Sequence, residues 1–258
     1  MSESKLGSQT NLGGNISLTQ PISQPKDPRT KELVFGSPMK FAVFCSGRGS
    51  NLKAILKAAD EDRLGGAEPV VMVADSHYAE AINVAREFGV YATFIPRTAY
   101  HANREGFEKR LLEVLKPLKP DLIVLAGFQR ILGPVFLSAF PQRVINIHPA
   151  LLPSFPGHSV WSKELDYGVK LVGPTVHFVD DGVDTGPIII QGVVPVLDDD
   201  DVTTLAARIL TVEHRILPQS IRWLAQGRVE ITDRKVSIKR IPDIKMREMI
   251  WPPLEWDF

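Results

Sequence analysis

The first half of the chain alternates short apolar runs with segments of helical periodicity. The apolar runs lie at residues 40–45, 69–74, 91–95 and 121–126. The segments predicted to be helical lie at residues 52–60, 79–88 and 103–118, and residues 129–140 contain another helical run. Strands buried on both faces read as continuous apolar runs, whereas half-exposed strands alternate between apolar and polar residues. The pattern therefore predicts an α/β fold, with a mostly parallel sheet and helices on both of its faces.

The second half of the chain has a different character. Residues 171–179 and 187–196 are two apolar runs joined by a short, turn-rich loop, which predicts an antiparallel pair of strands. Residues 201–225 predict one long helix. Residues 228–239 alternate between apolar and polar positions and break at Asp233, as a surface hairpin does. Antiparallel strands are therefore expected to extend the sheet in this half.

Both ends of the chain are predicted to differ from the globular part. Residues 1–37 are rich in Ser, Gln, Asn, Gly and Pro and show no periodicity, so they are expected to be disordered or loosely ordered. The predicted division is this tail, a globular domain at residues 38–227, and a C-terminal hairpin and tail at residues 228–258. An organelle transit peptide is the minor alternative for the tail, because it is poor in acidic residues and contains several Ser and Thr.

Composition narrows the class of protein. The 30 basic and 30 acidic residues cancel, so the net charge gives no reason to expect nucleic acid or a membrane surface as a partner. No apolar run approaches the roughly 18 residues of a membrane span. The single cysteine, Cys45, cannot form an internal disulfide, which favours a reducing compartment and hence the cytoplasm. Its place beside an apolar strand favours a buried hydrophobic role over a nucleophilic one.

The motif SGRGSNL follows the first predicted strand of the domain, at residues 46–52. Its glycines permit a tight turn, and the amides of Gly49, Ser50 and Asn51 would point outward at a helix N-terminus, where anions bind. Leu52 stands where a dinucleotide fingerprint has its third glycine. A phosphate monoester is the favoured ligand. A dinucleotide, with Asp75 as the ribose ligand, and a plain structural turn are the alternatives.

The motif GFQRILGP, at residues 127–134, follows the fourth predicted strand. Ligands of open α/β sheets bind beyond the carboxyl ends of the strands. Ile131 and Leu132 could therefore supply apolar walls and backbone groups to a flat ring. Taken alone, these residues favour an ordinary strand-to-helix turn in which Arg130 is solvated.

Asn146, His148 and Asp184 form the third candidate set. Asn146 and His148 alternate along one predicted strand, so both side chains project from the same face. Together with Asp184 they are groups that can stabilise an oxyanion and move a proton. The alternatives are a structural histidine, a solvated acidic turn, and a metal site that adds His158 and His177. The spacing of His148, His158, His177 and Asp184 matches no compact metal-binding signature. His177 is more consistent with a hydrogen-bonded residue of the core.

In combination, these motifs resemble the folate-dependent formyltransferase family, and within it the members that act on glycinamide ribonucleotide. Four blocks carry the resemblance, in the order found in that family: FAVFCSGRGSNLKAIL, DLIVLAGFQRIL, RVINIHPALLPSFPG and GPTVHFVDDGVDTGPIIIQ. The resemblance covers residues 40–227. It implies a Rossmann-like sheet extended by antiparallel strands. The implied activity is formyl transfer from 10-formyltetrahydrofolate to the amine of glycinamide ribonucleotide, a step of de novo purine biosynthesis.

The resemblance also implies roles for individual residues. Asn146, His148 and Asp184 are expected to be catalytic, with Asp184 raising the pKa of His148 so that an imidazolium is available near neutral pH. The ribonucleotide is expected to contact Gly49, Ser50, Asn51 and Glu213. The folate co-substrate is expected to contact Arg104, Gln129, Arg130, Ile131, Leu132 and Asn146. No metal is expected. A formyltetrahydrofolate hydrolase with the same three residues and a non-catalytic binder of nucleotide or folate are the alternatives.

Overall fold

The computed structural model describes residues 27–100 and 103–241. The strands are β1 (Thr30–Glu32), β2 (Met39–Cys45), β3 (Ala67–Ala74), β4 (Ala92–Phe94), β5 (Leu122–Leu125), β6 (Val144–His148), β7 (Leu171–Val172), β8 (Thr175–Phe178), β9 (Ile188–Gln191), β10 (Val194–Pro195), β11 (Val229–Thr232) and β12 (Lys235–Ile238). The α-helices are α1 (Ser50–Asp60), α2 (Ala81–Glu87), α3 (Arg104–Leu115), α4 (Pro134–Leu137), α5 (Val160–Tyr167) and α6 (Val202–Ala225). A 3₁₀ turn spans Arg97–Tyr100.

The central sheet has seven strands in the order β4-β3-β2-β5-β6-β8-β9. The strands from β4 to β6 are parallel to their neighbours, whereas β8 is antiparallel to both β6 and β9. The predicted fold class is therefore confirmed, including the antiparallel extension. Parallel order brings the carboxyl ends of β2, β5 and β6 to one edge of the sheet, which is where the candidate motifs begin.

Alternation along the central strands divides the core into two layers. On β2, Phe41, Val43 and Cys45 contribute to the layer that contains α1 and α6, whereas Ala42 and Phe44 face the layer that contains α3 and α4. Cys45 is fully buried, and burial together with the charge of Asp75 raises the pKa of its thiol to about 12. The expected role of Cys45 as a buried hydrophobe is therefore confirmed, since a thiol of this pKa is unreactive near neutral pH.

The helical run predicted within residues 129–140 is confirmed, but it is short. Only Pro134–Leu137 is helical, and residues 129–132 form an open loop. Pro134 occupies the first turn of α4, where its missing amide costs nothing, and a proline disfavours helical geometry in the preceding residue. Gly133 is accordingly extended, with φ −111° and ψ −170°. The consequence is a loop, not a helix, at the edge of the sheet.

Each of the two predicted antiparallel runs is divided at a glycine. Gly173 separates β7 from β8, and Gly192 separates β9 from β10. The two glycines face each other so closely that a Cβ on Gly173 would lie 2.0 Å from the carbonyl oxygen of Gly192. The outer parts, β7 and β10, pair in a separate two-stranded sheet. The predicted pairing holds, with a bend where the backbones approach.

The chain ends of the described region meet in a three-stranded sheet of order β1-β11-β12, called here the terminal sheet. The predicted hairpin is confirmed as β11 and β12. The prediction of an unstructured segment up to residue 37 is wrong for Thr30–Glu32, which pairs antiparallel with β11. The predictions for residues 1–26 and 242–258 lie outside the described residues. Val229 and Ile231 belong to the main core, and the domain boundary at residue 227 stays a prediction.

Within the described part of the chain, no helix combines the length and the apolar character needed to cross a membrane.

Candidate active site

A cavity of about 650 Å³ opens at the carboxyl ends of β2, β5 and β6. Its size is within the range of small-molecule sites, and its place is the one expected for ligands of an open α/β sheet. The walls come from three motifs predicted to carry chemistry: the loop after β2, residues 127–132, and the set of Asn146, His148 and Asp184. Residues 157–161, Leu210 and Glu213 complete the cavity. The structure therefore brings the three motifs together around one space.

The side chain of Asn146 is oriented by a buried histidine on the neighbouring strand. Asn146 on β6 is paired in register with His177 on β8. The His177 Nδ1–H donates to the carbonyl oxygen of Phe178 at 2.8 Å, and its Nε2 lies 3.2 Å from the amide nitrogen of Asn146. The same amide nitrogen faces the Asp184 carboxylate at 3.5 Å. The predicted hydrogen-bonded core role of His177 is confirmed. These contacts fix which end of the Asn146 amide is the donor.

Asp184 joins two loops at the cavity. Its Oδ2 accepts a hydrogen bond from the amide of Gly157 at 2.8 Å and lies 3.4 Å from Nδ1 of His148. Its Oδ1 lies 3.6 Å from Nε2 of His177 and 3.5 Å from the Asn146 amide nitrogen. Asp184 has φ 54°, in the left-handed region that residues with a Cβ rarely adopt. Such geometry is typical of a functional loop whose surroundings hold it in place.

Both ring nitrogens of His148 face oxygen atoms. Nε2 lies 2.9 Å from the Phe155 carbonyl oxygen, to which it donates, and Nδ1 faces Asp184. Burial lowers the pKa of His148, and the opposing effects of the Phe155 carbonyl and the Asp184 charge do not offset it. Asp184 raises the pKa of His148 as expected, but burial has the larger effect, so the expectation of an imidazolium near neutral pH is wrong. The physical reason is that His148 is only 5% exposed.

Asp184 itself is ionised at neutral pH. Burial alone would raise the pKa of Asp184, but the contact with His177, the hydrogen bond from the Gly157 amide and the charge of His148 lower it below its ordinary value. The structure thus pairs an ionised carboxylate with an imidazole that is mostly neutral near pH 7. Such a pair can accept a proton at the imidazole and stabilise the resulting positive charge.

The SGRGSNL loop has the geometry of an anion site. Gly49 precedes α1 in a left-handed conformation with φ 78°, and no side chain caps the helix. The first helical hydrogen bond runs from the Lys53 amide to the Gly49 carbonyl, so the amides of Ser50 and Asn51 lie ahead of it at the open helix end. A Cβ on Gly49 would lie 2.8 Å from Ala81 on α2, so only glycine fits this turn.

Glu213 lies beside this loop and also lines the cavity. Its Oε2 accepts a hydrogen bond of 2.5 Å from the Asn51 side chain. Glu213 is 4% exposed, and burial raises the pKa of its carboxyl against the opposing effect of Asn51. Leu210, one helical turn earlier on α6, also lines the cavity. The four residues expected to contact the ribonucleotide therefore all line the cavity.

The loop after β5 carries four of the residues expected to contact folate. Gln129, Arg130, Ile131 and Leu132 all line the cavity. The Arg130 guanidinium is not simply solvated: it lies 4.1 Å above the Phe107 ring and donates to the carbonyl oxygens of Arg97 and Tyr100 at 3.2 and 3.3 Å. Ile131 is 54% exposed, whereas Leu132 is buried. The loop thus presents one apolar side chain at the opening and one inside.

Arg104 is the residue that the structure places apart from this group. Its side chain lies outside the cavity wall and is 57% exposed, with Nε 3.6 Å from Oε1 of Glu108. Glu108 is buried and accepts hydrogen bonds from the amides of Gly133 and Phe136 at 2.7 and 3.0 Å. In this conformation Arg104 therefore contacts Glu108, which holds the end of the loop at residues 129–132, and does not line the cavity.

Some lining residues were not predicted from the sequence. The Gly157 amide holds Asp184, and the Phe155 carbonyl accepts from His148. Both act through the backbone, so only their place in a Pro- and Gly-containing loop could have indicated them. Trp161 also lines the cavity and carried no sequence signal. Within residues 27–100 and 103–241, no group of three or more His, Cys, Asp and Glu side chains has the arrangement of a metal site.

Comparison with known proteins agrees with this geometry. Residues 39–221 match the family model described as formyl transferase. The phosphoribosylglycinamide formyltransferase of Mycobacterium tuberculosis is 43% identical over 204 residues, which cover 79% of this chain and 93% of that relative. The enzyme of the same name from Escherichia coli is 38% identical over 195 residues, or 75% and 90% of the two chains. The crystal structure of glycinamide ribonucleotide transformylase 1 from Symbiobacterium toebii is 44% identical, with a TM-score of 0.76, and the match covers 81% of this chain and 98% of that one. This chain belongs to the formyl transferase family.

Proposed function

We propose that the protein transfers the formyl group of 10-formyltetrahydrofolate to the amine of glycinamide ribonucleotide, giving formylglycinamide ribonucleotide and tetrahydrofolate in de novo purine biosynthesis. The observation that carries the proposal is one cavity lined both by the open helix end at residues 49–51 and by Asn146, His148 and Asp184. The names of the relatives support the same reaction. Residues 38–227 are proposed to carry the activity, and the cytoplasm is the proposed location.

The chemistry follows from what each side chain can do. The neutral amine of the ribonucleotide attacks the formyl carbon, and the carbonyl oxygen becomes an oxyanion. Donors that are already in place stabilise such a charge without reorganisation. The Asn146 amide is such a donor, because His177 fixes its orientation at 3.2 Å. His148 becomes an imidazolium when it takes up, through a water, the proton that the attacking amine releases. Asp184, 3.4 Å away, stabilises that imidazolium until the proton is passed on.

One proton must then move between two nitrogens. It leaves the attacking amine and reaches the folate nitrogen, whose bond to the formyl carbon breaks. A water held by Asp184 and His148 is the proposed carrier, since both groups reach the same cavity wall. The balanced products are a formamide on the ribonucleotide and an N–H on tetrahydrofolate. This mechanism requires neither a metal ion nor a covalent enzyme intermediate.

The two substrates are proposed to bind in different parts of the cavity. The phosphate is bound by the amides of Gly49, Ser50 and Asn51, and Glu213 contacts the ribonucleotide. The folate is bound between residues 129–132 and the loop that ends at Asp184. Arg104 joins the folate contacts only if it leaves Glu108. Both ligands are small molecules, and the proposal includes no nucleic acid and no membrane partner.

The test is release of tetrahydrofolate from 10-formyltetrahydrofolate, measured with and without glycinamide ribonucleotide. Release that depends on the ribonucleotide supports the transferase. Equal release in its absence would identify a hydrolase and overturn the phosphate assignment. A His148→Ala variant that binds both ligands but does not turn over would separate an enzyme from a simple binder; unchanged turnover in this variant would contradict the proposed mechanism.

A further inference from the structure

The terminal sheet contacts the loop that carries Asp184. Arg234, at the turn of the β11–β12 hairpin, donates from Nη2 to the carbonyl oxygen of Thr185 at 2.5 Å. Thr185 directly follows Asp184 in the chain, whereas Arg234 is 49 residues further on. The donor is a cation, so this hydrogen bond is stronger than one between neutral groups. A side chain outside the cavity therefore holds the backbone next to a proposed catalytic carboxylate.

The loop around Asp184 depends on such restraints because of its own conformation. The left-handed backbone of Asp184, with φ 54°, is disfavoured for a residue with a Cβ. Inside the loop, Asp180 Oδ1 accepts from the Gly182 amide at 3.1 Å and from the Thr185 hydroxyl at 2.6 Å. These bonds fix the shape of the loop but not its position on the protein. The Gly157 amide, on the carboxylate, and Arg234, on the Thr185 carbonyl, hold the loop against the rest of the protein. The contacts of Asp184 with His148 and His177 add to this.

The hairpin turn is itself held by an ion pair at its tip and by buried side chains below it. The next residue back, Asp233, accepts from Arg29 Nη1 at 2.6 Å, and Arg29 is held in turn by Asp27 at 2.6 Å. Below the turn, Val229 and Ile231 are each 1% exposed in the main core. The turn therefore has a defined position from which Arg234 can hold the loop. The segment before β1 takes part in that support.

We propose that Arg234 is a positioning residue for Asp184. By holding the Thr185 carbonyl, it keeps the Asp184 carboxylate directed at His148, and the terminal sheet is the support through which it acts. The inference rests on the proposed role of Asp184 in the reaction. Both β1 and the β11–β12 hairpin lie outside residues 39–221, the range that matches the family model. The support is therefore a feature of this chain beyond the matched range.

The test compares Arg234→Ala with Lys235→Ala in the full-length protein. Lys235 is the adjacent exposed residue on β12, and it is a matched control because it also removes one positive charge. Arg234→Ala is expected to lower kcat about fivefold, the effect of one charge-assisted hydrogen bond in a partly exposed place, with KM for the ribonucleotide unchanged. Lys235→Ala is expected to leave both constants unchanged. A wild-type kcat for Arg234→Ala would overturn the inference.

A double variant separates positioning from general stability. In an Asp184→Asn background, Arg234→Ala should cause no further loss in single-turnover rate, because the group that it positions no longer acts. An equal fivefold loss in that background would show that Arg234 acts elsewhere and would overturn the inference. The two proposals fail differently. If Asp184→Asn alone keeps the wild-type rate, the proposed catalytic role fails; if it loses activity while Arg234→Ala does not, only the positioning role fails.

Discussion

Replacing Asp184 by Asn tests the proposed mechanism most directly. The change removes one charge and keeps an oxygen that can accept from the Gly157 amide. The carboxylate lies 3.4 Å from His148 Nδ1, and the two side chains are 13% and 6% exposed. At this distance and an effective dielectric constant of about 20, a carboxylate stabilises an imidazolium by about 5 kcal/mol. Since about 1.4 kcal/mol corresponds to a tenfold change in rate, kcat is expected to fall at least about 100-fold.

The binding of both substrates should change little in this variant, because Asp184 stabilises a charge that forms only during the reaction. The assay is single-turnover and steady-state tetrahydrofolate release at saturating ribonucleotide, with KM measured for each substrate. Asp181→Asn is the matched control, since Asp181 is an exposed aspartate of the same loop that does not line the cavity. An Asp184→Asn enzyme with wild-type kcat would refute the reasoning, and a rise in KM without a fall in kcat would assign Asp184 to binding.

Three further predictions concern other parts of the molecule. Gly49→Ala places a Cβ 2.8 Å from Ala81 and puts a residue with a Cβ at φ 78°. The variant should therefore have a free energy of unfolding lower by about 1–3 kcal/mol and a higher KM for the ribonucleotide. A wild-type Tm and KM would contradict this. Glu213→Gln weakens the 2.5 Å bond to Asn51, so KM for the ribonucleotide should rise about tenfold with little change in kcat, and a selective loss of kcat would contradict the assignment. Glu164, on α5, is 1% exposed with neither carboxylate oxygen hydrogen-bonded, and burial raises its pKa from 4.5 to about 7. The folded protein holds this proton more tightly than the unfolded chain, so the resulting stability is present below pH 4.5 and is lost as the pH rises through about 7. Glu164→Gln should therefore raise Tm at pH 8.5 but not at pH 4.5. Equal Tm values for the variant and the wild type at pH 8.5 would exclude the effect.

The fold could be predicted where burial alone decides the structure. The strands β2, β3 and β5 are covered on both faces, so their sequences are continuous apolar runs that have few other interpretations. Thr30–Glu32 could not be predicted, because its sequence TKE has no strand pattern and its structure depends on pairing with a strand about 200 residues away, through registers such as Thr30 with Thr232. The helical run within residues 129–140 could be predicted, but its start at Pro134 depends on a local feature, the Gly133–Pro134 pair.

The candidate site could be predicted to the level of side chains but not of their surroundings. Alternation along β6 places Asn146 and His148 on one face, and the structure puts both at the cavity. The backbone partners, such as the Gly157 amide and the Phe155 carbonyl, could not be predicted, since every residue type has these groups. The contact that Arg104 makes could not be predicted from the sequence either, because a long charged side chain can reach Glu108 or a ligand from the same backbone position.

The pKa of His148 shows why residue identity alone did not determine the chemistry. From the sequence, a nearby aspartate predicts a raised pKa, and the structure does contain that aspartate at 3.4 Å. It also buries the imidazole, and this larger effect lowers the pKa. A neutral His148 can accept the proton that the attacking amine must lose, whereas a histidine that was already protonated could not. In the proposed mechanism, a mostly neutral His148 beside an ionised Asp184 gains its proton only as the oxyanion forms, so the stabilisation is largest at the transition state.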